Sequence, residues 1–259
     1  MRLQNIDYHV CDVCNLNCRS CNHFCPLTKN KEFITGQQAY DDFRFLQKFS
    51  NKFDKLTLLG GEALLNPDID VIIVLANGLF PGRIKFITNG VNTDKLISMR
   101  QVLLDNKVEL VVTEYPFKEG WKEHYARLKH IFPDLTLYDY RIEHGFISEH
   151  LSYVGQDTDD DKLLSCDKRY KCVQYIDKKL YICHYAAYLD NLRQVAEIPF
   201  TNSDSFYDLE KYNEDSFNEF FESRIPDICR HCLYVRKPYE ELDKKPWKRT
   251  ERKADEWIQ

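Results

Sequence analysis

Cys14, Cys18 and Cys21 are spaced Cys-x3-Cys-x2-Cys, and three thiolates on one short loop can hold three irons of a cubic 4Fe–4S cluster. The fourth iron is then left without a protein ligand, open to bind and reduce a substrate or cosubstrate. Such an arrangement points to chemistry rather than scaffolding. The triplet lies within a group of five cysteines between positions 11 and 25, in which Cys11 and Cys25 are surplus, and it follows an apolar segment at residues 6–10. Zinc also takes four thiolates, usually from paired Cys-x2-Cys knuckles, and on the triplet alone that reading stays open. A disulfide framework belongs to small secreted chains. Here 259 residues, 43% of them hydrophobic, can build a sizeable core, and no apolar h-region follows Met1.

A second group of cysteines lies beyond residue 160: Cys166, Cys172, Cys183 and the pair Cys229-x2-Cys232. Ten cysteines in a chain without a secretory signal indicate metal or cluster ligation in a reducing compartment, hence a cytoplasmic protein. A net charge of −5 and a pI near 5.9 argue against general polyanion binding, so no nucleic-acid partner is expected. The basic residues at 244–253 are interleaved with acidic ones and read as a solvated surface. The most apolar stretch, residues 69–80, is too short to span a bilayer, so no membrane partner is expected either.

The elements that must position these thiols alternate between two hydrophobic periods. Short extended runs at residues 55–59, 83–88, 108–113 and 135–138 alternate with helical stripes. The stripes are Tyr40/Phe43/Leu46/Phe49, Ile69/Ile72/Ile73/Ala76, Leu96/Met99/Leu103 and Trp121/Tyr125/Leu128/Phe132. Alternating strands and helices of this length imply βαβ units and a parallel sheet. The polar and glycine-bearing segments Gly60-Gly61-Glu62, Thr88-Asn89-Gly90 and Thr113-Glu114 each follow a strand. Ligand sites in parallel α/β folds form at that carboxyl edge. After about residue 145 the pattern changes. Polar, acidic residues 155–162 read as a linker or exposed loop, followed by strand-like pieces at 173–176 and 180–182 and one helix at 212–223. The second half thus looks like a small module organised around a metal centre.

Three motifs together resemble the radical S-adenosylmethionine (SAM) superfamily: the Cys14/Cys18/Cys21 triplet, Gly60-Gly61-Glu62, and Ile87-Thr88-Asn89-Gly90, in that order over about the first 140 residues. The resemblance implies a partial (β/α)6 barrel over residues 1–148. It implies a 4Fe–4S cluster on the triplet, with SAM chelated at the open iron. Gly60, Gly61 and Glu62 would then engage the SAM ammonium, Thr88, Asn89 and Gly90 would lie along the bound molecule, and Thr113 or Glu114 would reach its ribose or carboxylate. One departure is Ser20, where an aromatic or apolar residue usually packs on adenine; Phe24 or His23 is the candidate replacement.

Residues 149–236 resemble the twitch module, the short form of the SPASM auxiliary-cluster extension, followed by a tail at 237–259. That likeness implies a second 4Fe–4S cluster on Cys166, Cys183, Cys229 and Cys232, with Cys172 as alternative to Cys166 and zinc as alternative occupant. Lys178 departs from the pattern, standing where glycine is usual. The layout resembles the 2-deoxy-scyllo-inosamine dehydrogenases, implying oxidation of a small or carbohydrate-like substrate with an electron donor such as flavodoxin or ferredoxin. A peptide-modifying enzyme is a second reading; it ranks lower because strand one begins within ten residues of Met1, leaving no room for a peptide-binding wing. A radical epimerase would use a cysteine such as Cys25 as hydrogen donor, and a zinc or iron–sulfur scaffold would be non-catalytic. Cys25, His184 and Arg141 are the candidate catalytic side chains; His144 and Arg141 could meet an anionic substrate.

Overall fold

The computed structural model describes residues 1–138, 146–147, 151–155, 159–234 and 244–259. Arg141 and His144 lie outside the described residues. The chain divides into two compact units.

The first unit comprises Arg2–Leu16 and Asn30–Gly145. Its strands are β1 (Ile6–His9), β2 (Lys55–Leu59), β3 (Arg83–Thr88), β4 (Glu109–Thr113) and β5 (Thr136–Tyr138). They form a parallel array in the order β5-β4-β3-β2-β1. Every strand joins beside its predecessor, so the chain winds in one direction, as in a (β/α) barrel and unlike a doubly wound sheet. The expected α/β class therefore holds, and the array is open. The connections are α1 (Gly36–Leu46), α2 (Ile69–Leu79), α3 (Thr93–Ser98), α4 (Arg100–Asp105) and α5 (Trp121–Ile131).

Local chemistry sets these boundaries. Thr35 and Gln38 form a reciprocal capping box that starts α1. The stripe Leu96/Met99/Leu103, read as one helix, is divided at Met99 into α3 and α4. There the Ser98 hydroxyl donates to the Lys95 carbonyl (2.7 Å), competing with the backbone for the same acceptor. All three stripe residues are nonetheless buried.

The second unit comprises Met1, Asn17–Lys29 and Phe146–Gln259. It contains β6 (Phe146–Ile147), α6 (Asp160–Leu164), α7 (Lys168–Lys171), β7 (Val173–Ile176), β8 (Lys179–Tyr181), α8 (His184–Leu192), β9 (Phe206–Asp208), α9 (Glu214–Glu222), α10 (Asp227–Arg230) and β10 (Lys244–Lys245). Strands β7-β8-β9 form an antiparallel meander, and β10 pairs with β6. The β7–β8 hairpin turns on Asp177 and Lys178, at φ 48° and 60°. A two-residue turn with both central residues left-handed is where glycine is normally favoured, so the lysine at 178 adopts a conformation that costs a side chain more than it costs glycine.

Two features of this unit differ from the domain boundaries expected from sequence. Residues 17–29 group with it although the first of the three motif cysteines, Cys14, does not. The tail is also packed: Trp257 and Ile258 are buried, and Leu151 donates its N–H to Trp257 O and accepts from Gln259 N–H. The basic side chains Lys248, Arg249, Arg252 and Lys253 are exposed, as a solvated surface requires.

Candidate functional site

At the carboxyl edge of the first unit, the segments after β1, β2 and β3 are tied together by backbone and by one carboxylate. Gly61 N–H donates to Cys11 O (2.7 Å) and Glu62 N–H to Val13 O (2.8 Å), so the glycine motif runs alongside the chain leading into the cysteine triplet. A Cβ on Gly60 would meet Cys11 O at 2.5 Å, and one on Gly61 would meet the Val13 carbonyl carbon at 2.7 Å with its oxygen closer still. The glycines thus permit close approach of this loop.

Glu62 is 2% exposed. One carboxylate oxygen accepts from Leu64 N–H (3.0 Å) and the Thr88 hydroxyl (2.5 Å), and the other from Asn89 N–H (2.7 Å). Burial raises its pKa, against the lowering effect of these three donors. Asn89 in turn donates from Nδ2 to Asn15 Oδ1 (2.8 Å), inside the cysteine run. Gly90 has φ 66° and takes its N–H to the Thr88 hydroxyl (3.0 Å).

Glu62, Thr88, Asn89, Gly90, Gly60 and Gly61 are therefore brought together with residues 11–15. Buried Thr113 is joined to them through Tyr125, whose hydroxyl donates to Asn89 O (2.8 Å) and lies 3.4 Å from Thr113 O. Glu114 follows at the end of β4, half-buried.

Removing the Glu62 side chain leaves Leu64 N–H, Asn89 N–H and the Thr88 hydroxyl without their acceptor. Glu62→Ala is expected to lose about 3 kcal/mol of stability, at roughly 1 kcal/mol or more per orphaned buried donor, measured by urea denaturation. The raised pKa means the folded state holds this proton more tightly than the unfolded chain. Its contribution is thus fully present below the ordinary value of 4.5 and is lost as pH rises through the folded value; that slope should vanish in the variant.

In the second unit, Cys18 Sγ accepts from the Trp247 indole N–H (3.1 Å), and Cys21 O accepts from the Trp257 indole N–H (2.9 Å). Ser20, at φ 55°, donates its hydroxyl to Glu256 O (2.7 Å). Phe24 is fully buried with its ring against Tyr185 and Trp257, so it offers no open face for adenine stacking. His23 stacks on His184 and Tyr188 at ring distances of 5.4 and 5.2 Å. His184 is buried at the start of α8, and Cys25 is buried with Sγ 3.9 Å from His23 O. Cys11, in the first unit, is pushed up to about 12 by burial, and its Sγ lies 3.1 Å from Glu62 O.

Cys166, Cys183, Cys229 and Cys232 line one cavity, and Leu163, Ile182, Tyr185 and Ile228 close its apolar sides. Cys172 is not among the lining residues. Burial pushes Cys183 up to about 12 and Cys229 well above the usual thiol range, and the neighbouring cysteines push both the same way.

Lys168 and Arg169 also line the cavity. Arg169 is 2% exposed and donates from Nε and Nη2 to the carbonyls of Phe220, Phe221 and Arg224 at the end of α9, while its Nη1 has no hydrogen-bond partner among the described residues. Four thiols and an orphaned guanidinium nitrogen suit an anionic metal–thiolate occupant. Among the described residues, no three His, Cys, Asp or Glu side chains form a group that could hold a single metal ion.

Several positioning residues carried no signal in the sequence. Asn15, Arg169 and Tyr125 act through contacts with residues distant in the chain, and Tyr125 read only as part of a core stripe.

Comparison with known structures agrees with this layout. The chain shares its fold with BtrN. The solved structure of BtrN in complex with AdoMet and 2-DOIA superposes with a TM-score of 0.59 at 16% identity, over 94% of this chain and 98% of that one. Streptococcus suis SuiB bound to S-adenosylmethionine gives a TM-score of 0.42 at 12% identity, over 94% and 76% of the two chains. Among curated proteins, molybdenum cofactor biosynthesis protein 1 of Mus musculus is 34% identical over 93 residues, which is 35% of this chain and 14% of that protein. The chain thus spans about a seventh of that relative's length. No family model matches the chain. No helix of the described residues is long and apolar enough to cross a membrane.

Proposed function

We propose that the chain is a radical SAM enzyme that oxidises a small, carbohydrate-like substrate with help from an auxiliary 4Fe–4S cluster. The observation that carries the auxiliary cluster is the convergence of Cys166, Cys183, Cys229 and Cys232 on one cavity from three separate segments. Four thiols lining one cavity match the ligand count of a cubic 4Fe–4S cluster. A small-molecule substrate is favoured by the likeness to BtrN, whose structure holds AdoMet and 2-DOIA.

In this reading Cys14, Cys18 and Cys21 would hold the first cluster, and SAM would bind there. The chemistry the cluster would supply there is one-electron reductive cleavage of SAM, with one hydrogen atom of the substrate passing to the 5′-deoxyadenosyl group, the second electron to the auxiliary cluster and the remaining proton to solvent. The chain's residues bind and orient. Gly60 and Gly61 let the cysteine loop lie against the end of β2, and Glu62 locks that loop to the end of β3 through Thr88 and Asn89. Asn89, Gly90, Thr113 and Glu114 line the carboxyl edge along which SAM would extend. Around the auxiliary site, Lys168 and Arg169 offset the negative charge of four thiolates. The electron needed at the first cluster would come from a flavodoxin or ferredoxin.

The test uses anaerobically reconstituted protein. About eight irons and eight sulfides per chain are expected for two 4Fe–4S clusters, with 5′-deoxyadenosine formed from SAM and dithionite. Deuterium transfer from labelled alcohols into 5′-deoxyadenosine then identifies the substrate. About four irons together with one zinc would remove the auxiliary cluster; absence of 5′-deoxyadenosine would leave a non-catalytic scaffold.

A further inference from the structure

Residues 247–257 are built against the second half of the cysteine run. Arg19 N–H donates to Lys248 O (2.8 Å) and Thr250 N–H to Asn17 O (2.9 Å), an antiparallel bridge centred on Cys18 and Arg249. Beside it, the Trp247 indole N–H points at Cys18 Sγ across 3.1 Å. Indole nitrogen can only donate, so the sulfur is the acceptor.

Further along, Ser20 and the Cys21 carbonyl are held by Glu256 O and the Trp257 indole. Trp257 itself is fully buried, with its ring 6.5 Å from that of Phe24. Glu256, 3% exposed, lies 3.9 Å from the Arg19 guanidinium and also accepts from the Thr250 hydroxyl and Glu251 N–H. Two cysteines expected to hold iron are therefore fixed by side chains more than 200 positions away.

We propose that Trp247 is a positioning residue for the Cys18 thiolate, and that the 247–257 segment is a clasp that keeps Cys18 and Cys21 in place around the SAM-binding cluster. The proposal rests on the preceding reading that Cys18 ligates iron. A hydrogen bond to a ligand sulfur withdraws charge from it, and it strengthens when the cluster takes up one electron and its sulfurs become more negative. Trp247 thereby makes the cluster easier to reduce. Trp257 acts on the loop backbone and holds the metal without changing the charge on sulfur.

The experiment is a redox titration of reconstituted protein, following the EPR signal that responds to SAM. Trp247→Phe keeps the ring and loses the N–H. Its equilibrium constant for one-electron reduction should fall about tenfold, or about 59 mV, with iron content unchanged. Trp247→His restores an N–H and should recover part of that shift. Equal potentials in wild type and Trp247→Phe, or equal shifts in the Phe and His variants, overturn the role of the indole. Trp257→Phe should lose iron to a chelator severalfold faster at an unchanged potential; an unchanged rate of loss overturns the clasp. Should wild type itself show no SAM-responsive signal, the proposed function fails, and that failure is seen before any variant is made.

Discussion

Cys18→Ala is expected to abolish SAM cleavage, with 5′-deoxyadenosine falling to background and iron falling from about eight to about four per chain. The expectation follows from the minimal ligand count: three thiolates leave one iron open, and two cannot hold the cube against loss of a second corner. The substitution also removes the acceptor of the Trp247 indole. The four thiols on the separate cavity do not involve Cys18, so their share of the iron should remain. A variant that loses all iron would mean that the second site depends on the first; one that loses none would mean that Cys18 is not a ligand.

The second large effect is expected at Gly61. Adding a single methyl group there drives Cβ into the Val13 carbonyl, whose carbon would lie 2.7 Å away, and the obstacle is backbone with little room to give. The loop must retreat, breaking the Glu62 N–H to Val13 O bond of 2.8 Å and displacing the chain one residue before Cys14. Overpacking of this kind costs about 3 kcal/mol, and Gly61→Ala should show that loss in chemical denaturation together with impaired cluster loading. Gly78 supplies the internal comparison. It lies in α2 with nothing within 4 Å of a built Cβ, so Gly78→Ala should gain about 0.5–1 kcal/mol. If both variants shifted alike, the close approach of the Gly60-Gly61 segment to the cysteine loop would have no energetic weight.

What could be read from the sequence follows from how local each signal is. Strands β2 and β3 are closed by Gly-Gly and Asn-Gly, so apolar run and turn chemistry agree within a few residues, and the elements fall where expected. A spacing likeness favours Cys166 over Cys172, and Cys166 lines the cavity with the other three. Helix α8 carries a helical stripe in His184/Tyr185, Tyr188/Leu189 and Leu192, but it is nine residues long and kinked at Tyr188, so its period is short and broken. The exposed charges of the tail are legible in the sequence; its backbone contacts are not. Its bonds to Asn17, Arg19, Ser20 and Cys21 are made by peptide groups and two tryptophans, for which no window of neighbouring residues carries a pattern.

The remoteness of those partners has a kinetic consequence. Each strand of the parallel array docks beside its immediate predecessor, so that half of the molecule is assembled from contacts of modest sequence separation. Trp247 meets Cys18 across 229 residues, and Glu256 meets Ser20 across 236. Closing loops of that length comes at an entropic disadvantage that nearby pairings do not face. Residues 17–21 should accordingly be among the slowest to gain protection from hydrogen exchange during refolding, well after the amides of β2 and β3.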